Sequence, residues 1–366
     1  MIKTAKGDRV FIDIENHFIE RFNPLTGFYV RSGVIANKQD TGVDPFMRCA
    51  PGLLDIGIMG HCTHAHLCTV GCYQGGTGNC KPNMTLDNYR KIIDQSKEFL
   101  FQVALGGHGD PNKHENFGEI LEYTRSNEIV PNYTTSGFNL TDEEVALTKR
   151  FCGATAVSWY RRDYTLDAIR RFLEAGCKTN IHYVLGNDSI DEAIERLEQG
   201  TFPEGINAVI FLLHKPVGCG RQESVLQPGD PKVKKFFEIV DTCNFKHKIG
   251  FDSCTVPGLI NNTERINQDS FDTCEGGRHS AYITPDMMML PCSFDNQSYA
   301  WAVSLDSYTV QEAWKSSEFD NFRSHFRNAC SGCKDRQLCM SGCPIVPQIV
   351  LCNREERTER CAKFVV

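Results

Sequence analysis

The sequence predicts an α/β fold that ends in a small cysteine-rich module, and three observations carry that prediction. From Leu53 to about residue 250, short strand-like runs alternate with amphipathic helical stretches. Beyond residue 250 the alternation stops, and Cys, Gly, Pro and Asn take over. The 18 cysteines are spread unevenly over 366 residues: nine lie from Cys254 to Cys361, four from Cys62 to Cys80, and five are scattered.

At the N-terminus, residues 1–50 hold two strand-like runs, Arg9–Ile14 and Gly27–Arg31, without a helix signal, and read as a leader segment packed on the rest of the chain. Six strand-like segments come next: Leu53–Met59, Leu100–Leu105, Ile129–Tyr133, Ala154–Trp159, Asn180–Leu185 and Ala208–Leu213. Helical stretches succeed them at about 85–98, 115–126, 141–151, 165–175, 189–198 and 231–241. Thr141 with Glu144, and Ser189 with Glu192, fit the capping box, in which hydroxyl and carboxylate each satisfy a free amide of the first turn. Such alternation implies parallel strands joined by right-handed crossovers, in a doubly wound sheet or in a barrel. Both gather chemistry at the C-terminal ends of strands. Polar, Gly-rich stretches stand there: His61–Gly76, Gly106–Pro111, Thr134–Gly137 and His214–Gly220. The tail shows one helical stretch near Val310–His325, and its thin apolar content implies that something besides a large core holds it. The expected division is 1–50, 51–250 and 251–366.

A composition of 41% apolar and 23% charged residues is that of a globular chain. Lys and Arg number 39 against 46 Asp and Glu, a net charge of −7 with no basic block, which favours neither nucleic acid nor an anionic membrane as partner. No apolar run reaches the ~18 residues of a spanning helix, and the residues after Met1 lack a signal-peptide core, so a cytoplasmic protein is expected. Thiols in a reducing compartment do not persist as a disulfide framework. Metal or iron–sulfur ligation therefore accounts best for the grouped cysteines, whereas Cys49, Cys152, Cys177, Cys219 and Cys243 read as small buried apolar residues.

Cys62-x5-Cys68-x3-Cys72 comes directly after the first strand. Three thiolates on one loop suit three irons of a [4Fe–4S] cube with the fourth left open; with Cys80 as a fourth ligand, a zinc site is the alternative. The loop, ending in Cys72-Tyr73, resembles the cluster loop of the radical S-adenosylmethionine (SAM) superfamily, with gaps of five and three residues where C-x3-C-x2-C is usual. Gly106-Gly107-His108-Gly109-Asp110-Pro111 resembles that family's Gly-Gly-Glu-Pro-like motif, with His108 in the place of the glutamate. Thr134-Thr135-Ser136-Gly137 lies where members place a ribose or carboxylate contact, and Val157-Ser158-Trp159 ends the fourth strand in the matching way. The resemblance implies a partial (β/α)6 TIM-like barrel with SAM contacts from Tyr73, Gly106, Gly107, Ser136 and Ser158. At Gly106 and Gly107 the expected reason for glycine is a backbone that approaches the ligand where a Cβ would obstruct it.

Cys330-x2-Cys333-x5-Cys339-x3-Cys343 resembles the core of the SPASM domain, which carries two auxiliary [4Fe–4S] clusters. Cys274-Glu275-Gly276-Gly277 and Pro285–Cys292 resemble its opening, with Met287 where glycine is usual. By that resemblance the first auxiliary cluster uses Cys254, Cys274, Cys292 and Cys343, and the second uses Cys330, Cys333, Cys339 and either Cys352 or Cys361. Two zinc ribbons are the structural alternative. The resemblance spans about residues 51–366. It implies three [4Fe–4S] clusters, reductive cleavage of SAM to a 5′-deoxyadenosyl radical, an electron donor such as flavodoxin or ferredoxin, and a peptide or small protein as substrate. The reactions implied are cross-linking, thioether formation, epimerisation or, as in sulfatase maturation, formylglycine formation. Residues 1–50 display no winged helix–turn–helix pattern for a leader peptide. Asp110, His108, Tyr73, His214 and Asp252 are polar residues at strand ends suited to act as base or donor, and none is singled out as catalytic. A cluster-bearing scaffold or redox sensor is the non-enzymatic alternative.

Overall fold

The computed structural model describes residues 1–33, 35–36, 39–40, 47–67, 71–75, 80–328, 330, 333 and 335–352. Cys68 and Cys361 lie outside the described residues.

Strands β1 (Ile2–Lys3), β2 (Arg9–Asp13), β3 (Phe18–Phe22) and β4 (Tyr29–Gly33) form an antiparallel meander, and β5 (Ile35–Ala36) pairs with β6 (Gln39–Asp40). The sequence predicts two of these strands and misses β3. Phe18, Glu20 and Phe22 are buried while Ile19 and Arg21 are exposed, so the period-2 alternation is present but carries a charge on its inner face. That charge is neutralised locally. Arg48 Nε stands 2.9 Å from Glu20 Oε2 with both side chains fully buried, Tyr29 Oη donates to Oε1 at 2.5 Å, and His279 Nε2 lies 2.8 Å from it. Burial pushes the Glu20 carboxyl up, but His279, Arg48 and Tyr29 outweigh it and hold it below the usual range. The network joins the meander to residues 48 and 279; removing one partner alone strands a buried charge, at a cost of about 3–5 kcal/mol.

Beyond the meander come seven parallel strands, the first six each leading into a helix. These are β7 (Leu53–Met59), α1 (Leu86–Ser96), β8 (Gln102–Gly107), α2 (Phe117–Ser126), β9 (Val130–Thr135), α3 (Asp142–Phe151), β10 (Thr155–Ser158), α4 (Asp163–Glu174), β11 (Thr179–Leu185), α5 (Ile190–Gln199), β12 (Ala208–Leu213), α6 (Pro231–Thr242) and β13 (Lys248–Phe251). In the sheet they stand in chain order with no strand skipped. A doubly wound sheet reverses its order at a switch point, so this is the winding of a barrel, left open at β13. The alternation runs one strand further than the sequence predicts.

The strands have two unlike faces. Leu54, Ile56, Val103, Leu105, Ile181 and Val209 are almost wholly buried and share one core with Ile93, Leu121 and Phe172 of the helices. Their neighbours Asp55, Gln102, Asn132, Thr134, Asn180 and His182 are only half-buried. The inner face of the partial barrel therefore mixes polar side chains with Ala104, Val184, Ile210 and Leu212, where a solid barrel core would be filled by branched aliphatic residues alone. Thr141 caps α3 as expected: its Oγ1 accepts from Glu144 N at 3.2 Å, and Glu144 Oε2 accepts from Thr141 N at 2.8 Å. The second expected box does not form. Ser189 Oγ instead accepts from Gly186 N and donates to Val184 O, while Glu192 is drawn away to Trp159, Arg161 and Arg196.

The tail contains α7 (Val256–Asn262), β14 (Ser280–Ile283), β15 (Met288–Leu290), β16 (Val303–Ser304), α8 (Val310–Trp314), α9 (Ser317–Asn328) and α10 (Arg336–Cys339). One helical stretch was expected where α8 and α9 stand. β14 pairs in parallel with β7 on the edge opposite β8, and β15 and β16 continue antiparallel. The expectation of a thin apolar tail is corrected: Leu259, Ile283, Met289, Leu305, Trp314 and Phe319 are buried in the same core as the barrel. Met287 takes the turn position where glycine is usual, with φ +62°, and its buried side chain joins that core. Of the scattered cysteines, Cys49, Cys152 and Cys177 pack against the core, but Cys219 and Cys243 are exposed, contrary to expectation. Among the described residues no helix is long and apolar enough to cross a membrane.

Candidate cofactor and cluster sites

The loop after β7 is pinched at its base. Lys81 N donates to Gly60 O at 2.7 Å and Gly60 N donates to Asn83 Oδ1 at 3.0 Å. Within it Cys62 Sγ lies 3.7 Å from His64 Nδ1, and His64 Nε2 lies 3.3 Å from Ser136 Oγ. Ser136 in turn donates to Asp110, from Oγ to Oδ2 at 2.5 Å and from N to Oδ1 at 2.8 Å. A buried line thus runs from the cysteine loop to the ends of β8 and β9, and it brings together Cys62, Ser136 and Asp110, all marked by the sequence. Burial pushes the Asp110 carboxyl up, with the Ser136 hydrogen bonds acting against it. His64 was missed, because a histidine inside a cysteine loop has no pattern of its own.

The two adjacent glycines of β8 separate. Gly106 borders open space, since a Cβ there meets nothing within 4 Å. Gly107 has φ +111° and would place a Cβ 2.4 Å from Met59 O; His108 N donates to the same oxygen at 2.7 Å. Gly109, at φ +140°, lies against His61 O and Cys62 Cα. Gly106 thus has free space beside it, while Gly107 and Gly109 are required by close packing of β8 on the cysteine loop. On the inner face Ser158 pairs in register with His182, whose Nδ1 is 3.2 Å from Thr134 Oγ1. Burial holds His182 down at about 4 and so neutral. Asp55 pairs with Ala104 as Gly57 pairs with Gly106, so it stands one inner-face row, ~7 Å, below Gly106. Burial, with the Glu275 carboxylate, pushes Asp55 up to about 7.

Segments from β12 and the tail hold the other end of the loop. Cys219 N donates to Cys72 O at 2.9 Å, and the Tyr73 ring packs on Phe294 with centroids 4.7 Å apart. Asn296 Nδ2 donates to Gln74 Oε1 at 2.8 Å, and Lys81 Nζ donates to Asp286 Oδ2 at 2.7 Å.

Four of the tail cysteines meet. Cys254 stands in the turn Ser253–Thr255, Cys292 comes just after β15 and Cys343 just after α10. The thiols of Cys254 and Cys343 are hydrogen-bonded, and Cys274 is within electrostatic reach of Cys254 and Cys292. At Gly276 a Cβ would meet both Cys274 Sγ and Cys292 Cβ, at 3.7 and 3.6 Å. Burial pushes Cys292 up to about 12 and Cys274 well above the usual range; the Cys343 hydrogen bond and burial do the same to Cys254. Such thiols ionise only if a cation compensates them, and four of them fit a closed [4Fe–4S] cube. Among the described residues no three His, Cys, Asp or Glu lie as close as a single metal ion requires; a cube spreads its sulfurs further apart.

Lys215, with its side chain 4% exposed, interacts electrostatically with Cys254 and Cys343 of this quartet. Its Nζ donates to Asp252 Oδ2 at 2.7 Å and Leu213 O at 2.8 Å, and stands 4.6 Å from the centre of the Phe294 ring. Sequence reasoning passed over Lys215, which no motif marks. Asp252 also accepts from Thr255 Oγ1 and Leu213 N, and His214 Nε2 lies 2.9 Å from Arg221 O, so both strand-end candidates are engaged in holding their own loop. For the remaining set, Cys333 N donates to Cys330 O at 3.0 Å, Cys339 ends α10, and Cys352 lies just past the turn Pro347–Ile349.

Residues 274–335 match the SPASM family, an iron–sulfur cluster-binding domain. In three dimensions the chain is similar to Streptococcus suis SuiB bound to precursor peptide SuiA, at 13% identity and TM-score 0.71, covering 98% of this chain and 100% of that one. SuiB bound to S-adenosylmethionine gives the same TM-score at 12% identity, over 98% and 100% of the two chains. Native anSMEcpe with bound AdoMet and Kp18Cys peptide matches with TM-score 0.60 and 14% identity, over 86% of this chain and 96% of that one. No curated protein matches the chain in sequence. Residues 274–335 are thus a SPASM iron–sulfur cluster-binding domain, on a chain that has the fold of SuiB and anSMEcpe.

Proposed function

We propose that the protein is a radical SAM enzyme that modifies a peptide or small protein. The observation that carries this reading is the meeting of Cys254, Cys274, Cys292 and Cys343 beside a partial barrel whose cysteine loop, Gly106, Ser136 and Ser158 stand at one sheet edge. A [4Fe–4S] cluster held by Cys62, Cys68 and Cys72 would supply one-electron cleavage of SAM to methionine and a 5′-deoxyadenosyl radical, which abstracts hydrogen from an unactivated carbon. Flavodoxin or ferredoxin would supply the electron, and Cys330, Cys333, Cys339 and Cys352 or Cys361 would hold the second auxiliary cluster.

The chain's own residues contribute placement. Gly106 leaves the inner face open for the methionyl end of SAM, the Asp110–Ser136–His64 line fixes the loop that carries Cys62, and Tyr73 on Phe294 ties that loop to the tail. Near the starts of their strands Gln102, Asn132 and Asn180 are hydrogen-bonded within the fold, Asn132 Nδ2 to Gln102 Oε1 and Asn207 Nδ2 to Asn180 Oδ1, and close the far end of the barrel. A peptide substrate is supported by the SuiB and anSMEcpe structures, which hold peptides. Hydrogen abstraction toward a cross-link, thioether or epimer is the reaction class proposed, with formylglycine formation as the alternative. The test is anaerobic incubation of the reduced, reconstituted protein with SAM. It should carry about twelve irons per chain and release 5′-deoxyadenosine; bound zinc with almost no iron, or intact SAM, would leave a metal-stapled scaffold instead.

A further inference from the structure

We propose that Lys215 sets the reduction potential of the cluster held by Cys254, Cys274, Cys292 and Cys343, its buried ammonium stabilising the reduced cube. The inference rests on the proposed iron–sulfur occupancy of those four thiols. A lysine this deeply buried is not there for stability, because taking an ammonium out of water costs several kcal/mol and an apolar side chain of the same length packs as well. Its three donor directions are used by Asp252 Oδ2, Leu213 O and the face of Phe294, which pins the charge instead of letting it reach solvent.

The pinned charge is directed at the thiols. Asp252 precedes Cys254 by two residues, Phe294 follows Cys292 by two, and Lys215 interacts electrostatically with Cys254, Cys343 and Cys292. The Asp252 carboxylate at 2.7 Å is the counter-charge that holds the ammonium protonated against the cost of burial. A cube with four thiolates goes from charge −2 to −3 on taking one electron. A fixed cation in a low-dielectric site favours the more negative form, and cluster potentials follow local charge.

The experiment is an EPR-monitored redox titration of the full-length, reconstituted protein with dithionite, with iron content measured on the same samples. The relevant midpoint is the one missing from the Cys254→Ser/Cys343→Ser variant. Lys215→Met should move that midpoint to a more negative potential by about tenfold in the one-electron equilibrium constant, about 59 mV, with the other midpoints unmoved; Lys215→Arg should restore it. Should Lys215→Met fail to fold, Asp252→Asn, which keeps the cation and removes its counter-charge, should move the same midpoint the opposite way. An unmoved midpoint in either variant at parental iron content overturns the inference and leaves Lys215 a loop-holding residue. Parent protein that lacks the assigned midpoint and its share of iron overturns the functional reading, and the inference with it.

Discussion

Two cysteine sites in this chain are built on opposite plans. Cys62, Cys68 and Cys72 lie within 11 residues of one loop, whereas Cys254, Cys274, Cys292 and Cys343 come from four segments spread over 90 residues. A group held by one loop closes only short chain segments and adds little to the fold. A group held by the quartet fixes the β13–α7 turn, the β14–β15 hairpin and the segment after α10 relative to one another, so its binding energy is also folding energy. The local site suits reversible chemistry with a ligand that comes and goes. The distributed one would be permanent architecture, added to the apolar residues the tail buries in the barrel core.

The largest effect expected from this contrast is on stability. Cys254→Ala with Cys343→Ala should lose one cube's iron, expose the tail to limited proteolysis and destabilise by about 3 kcal/mol, roughly 4 °C in melting temperature for a chain of this length. Replacing Cys62, Cys68 and Cys72 by Ala should leave the melting temperature within about 2 °C while abolishing 5′-deoxyadenosine formation. Equal losses from both sets, measured by calorimetry and iron assay, would erase the distinction.

A narrower effect separates Gly106 from Gly107. Gly107→Val forces a side chain into φ +111° and against Met59 O, so it should destabilise broadly, by about 2–4 kcal/mol. Gly106→Val meets only open space and should fold normally, yet lose SAM affinity at unchanged iron content. If Gly106→Val binds SAM as the parent does, the inner face beside β8 is not the SAM site.

How far the sequence foretold this molecule depends on where the stabilising partners sit. The six β/α units were legible because each declares itself within a dozen residues, by apolar period and, at α3, by Thr141 and Glu144. The grouping of cysteines was legible from count and spacing. What stayed hidden depends mostly on partners far along the chain: β3 buries Glu20 only because Arg48 and His279 meet it, the box at Ser189 loses Glu192 to Trp159, Arg161 and Arg196, and Lys215 acquires meaning only beside Asp252 and Phe294. Gly106 and Gly107 are indistinguishable in sequence and differ solely in what faces each Cβ direction.

The smallest effect expected lies on the inner face between the two sites, at Asp55. Its carboxyl feels Glu275, and it bears electrostatically on Tyr73 beside Cys72, on Tyr282 and on Cys292, so it reports on the ground the two cysteine sites share. Folding raises it to about 7, above an unfolded value of about 3.9. Below pH ~4 both states hold the proton and folding is indifferent to it. As pH climbs toward 7 the unfolded chain releases the proton first, so stability falls, and above 7 the deficit levels off. Asn at this position has no proton to lose. Asp55→Asn should therefore melt with the parent near pH ~4 and a few degrees above it near pH ~8, the gap opening in the window between the two pKa values. A gap that is the same at both pH values would mean that Asp55 is ionised in the folded protein, its charge met by solvent reaching the inner face, and that the space between the two sites is wetter than the burial of its walls implies.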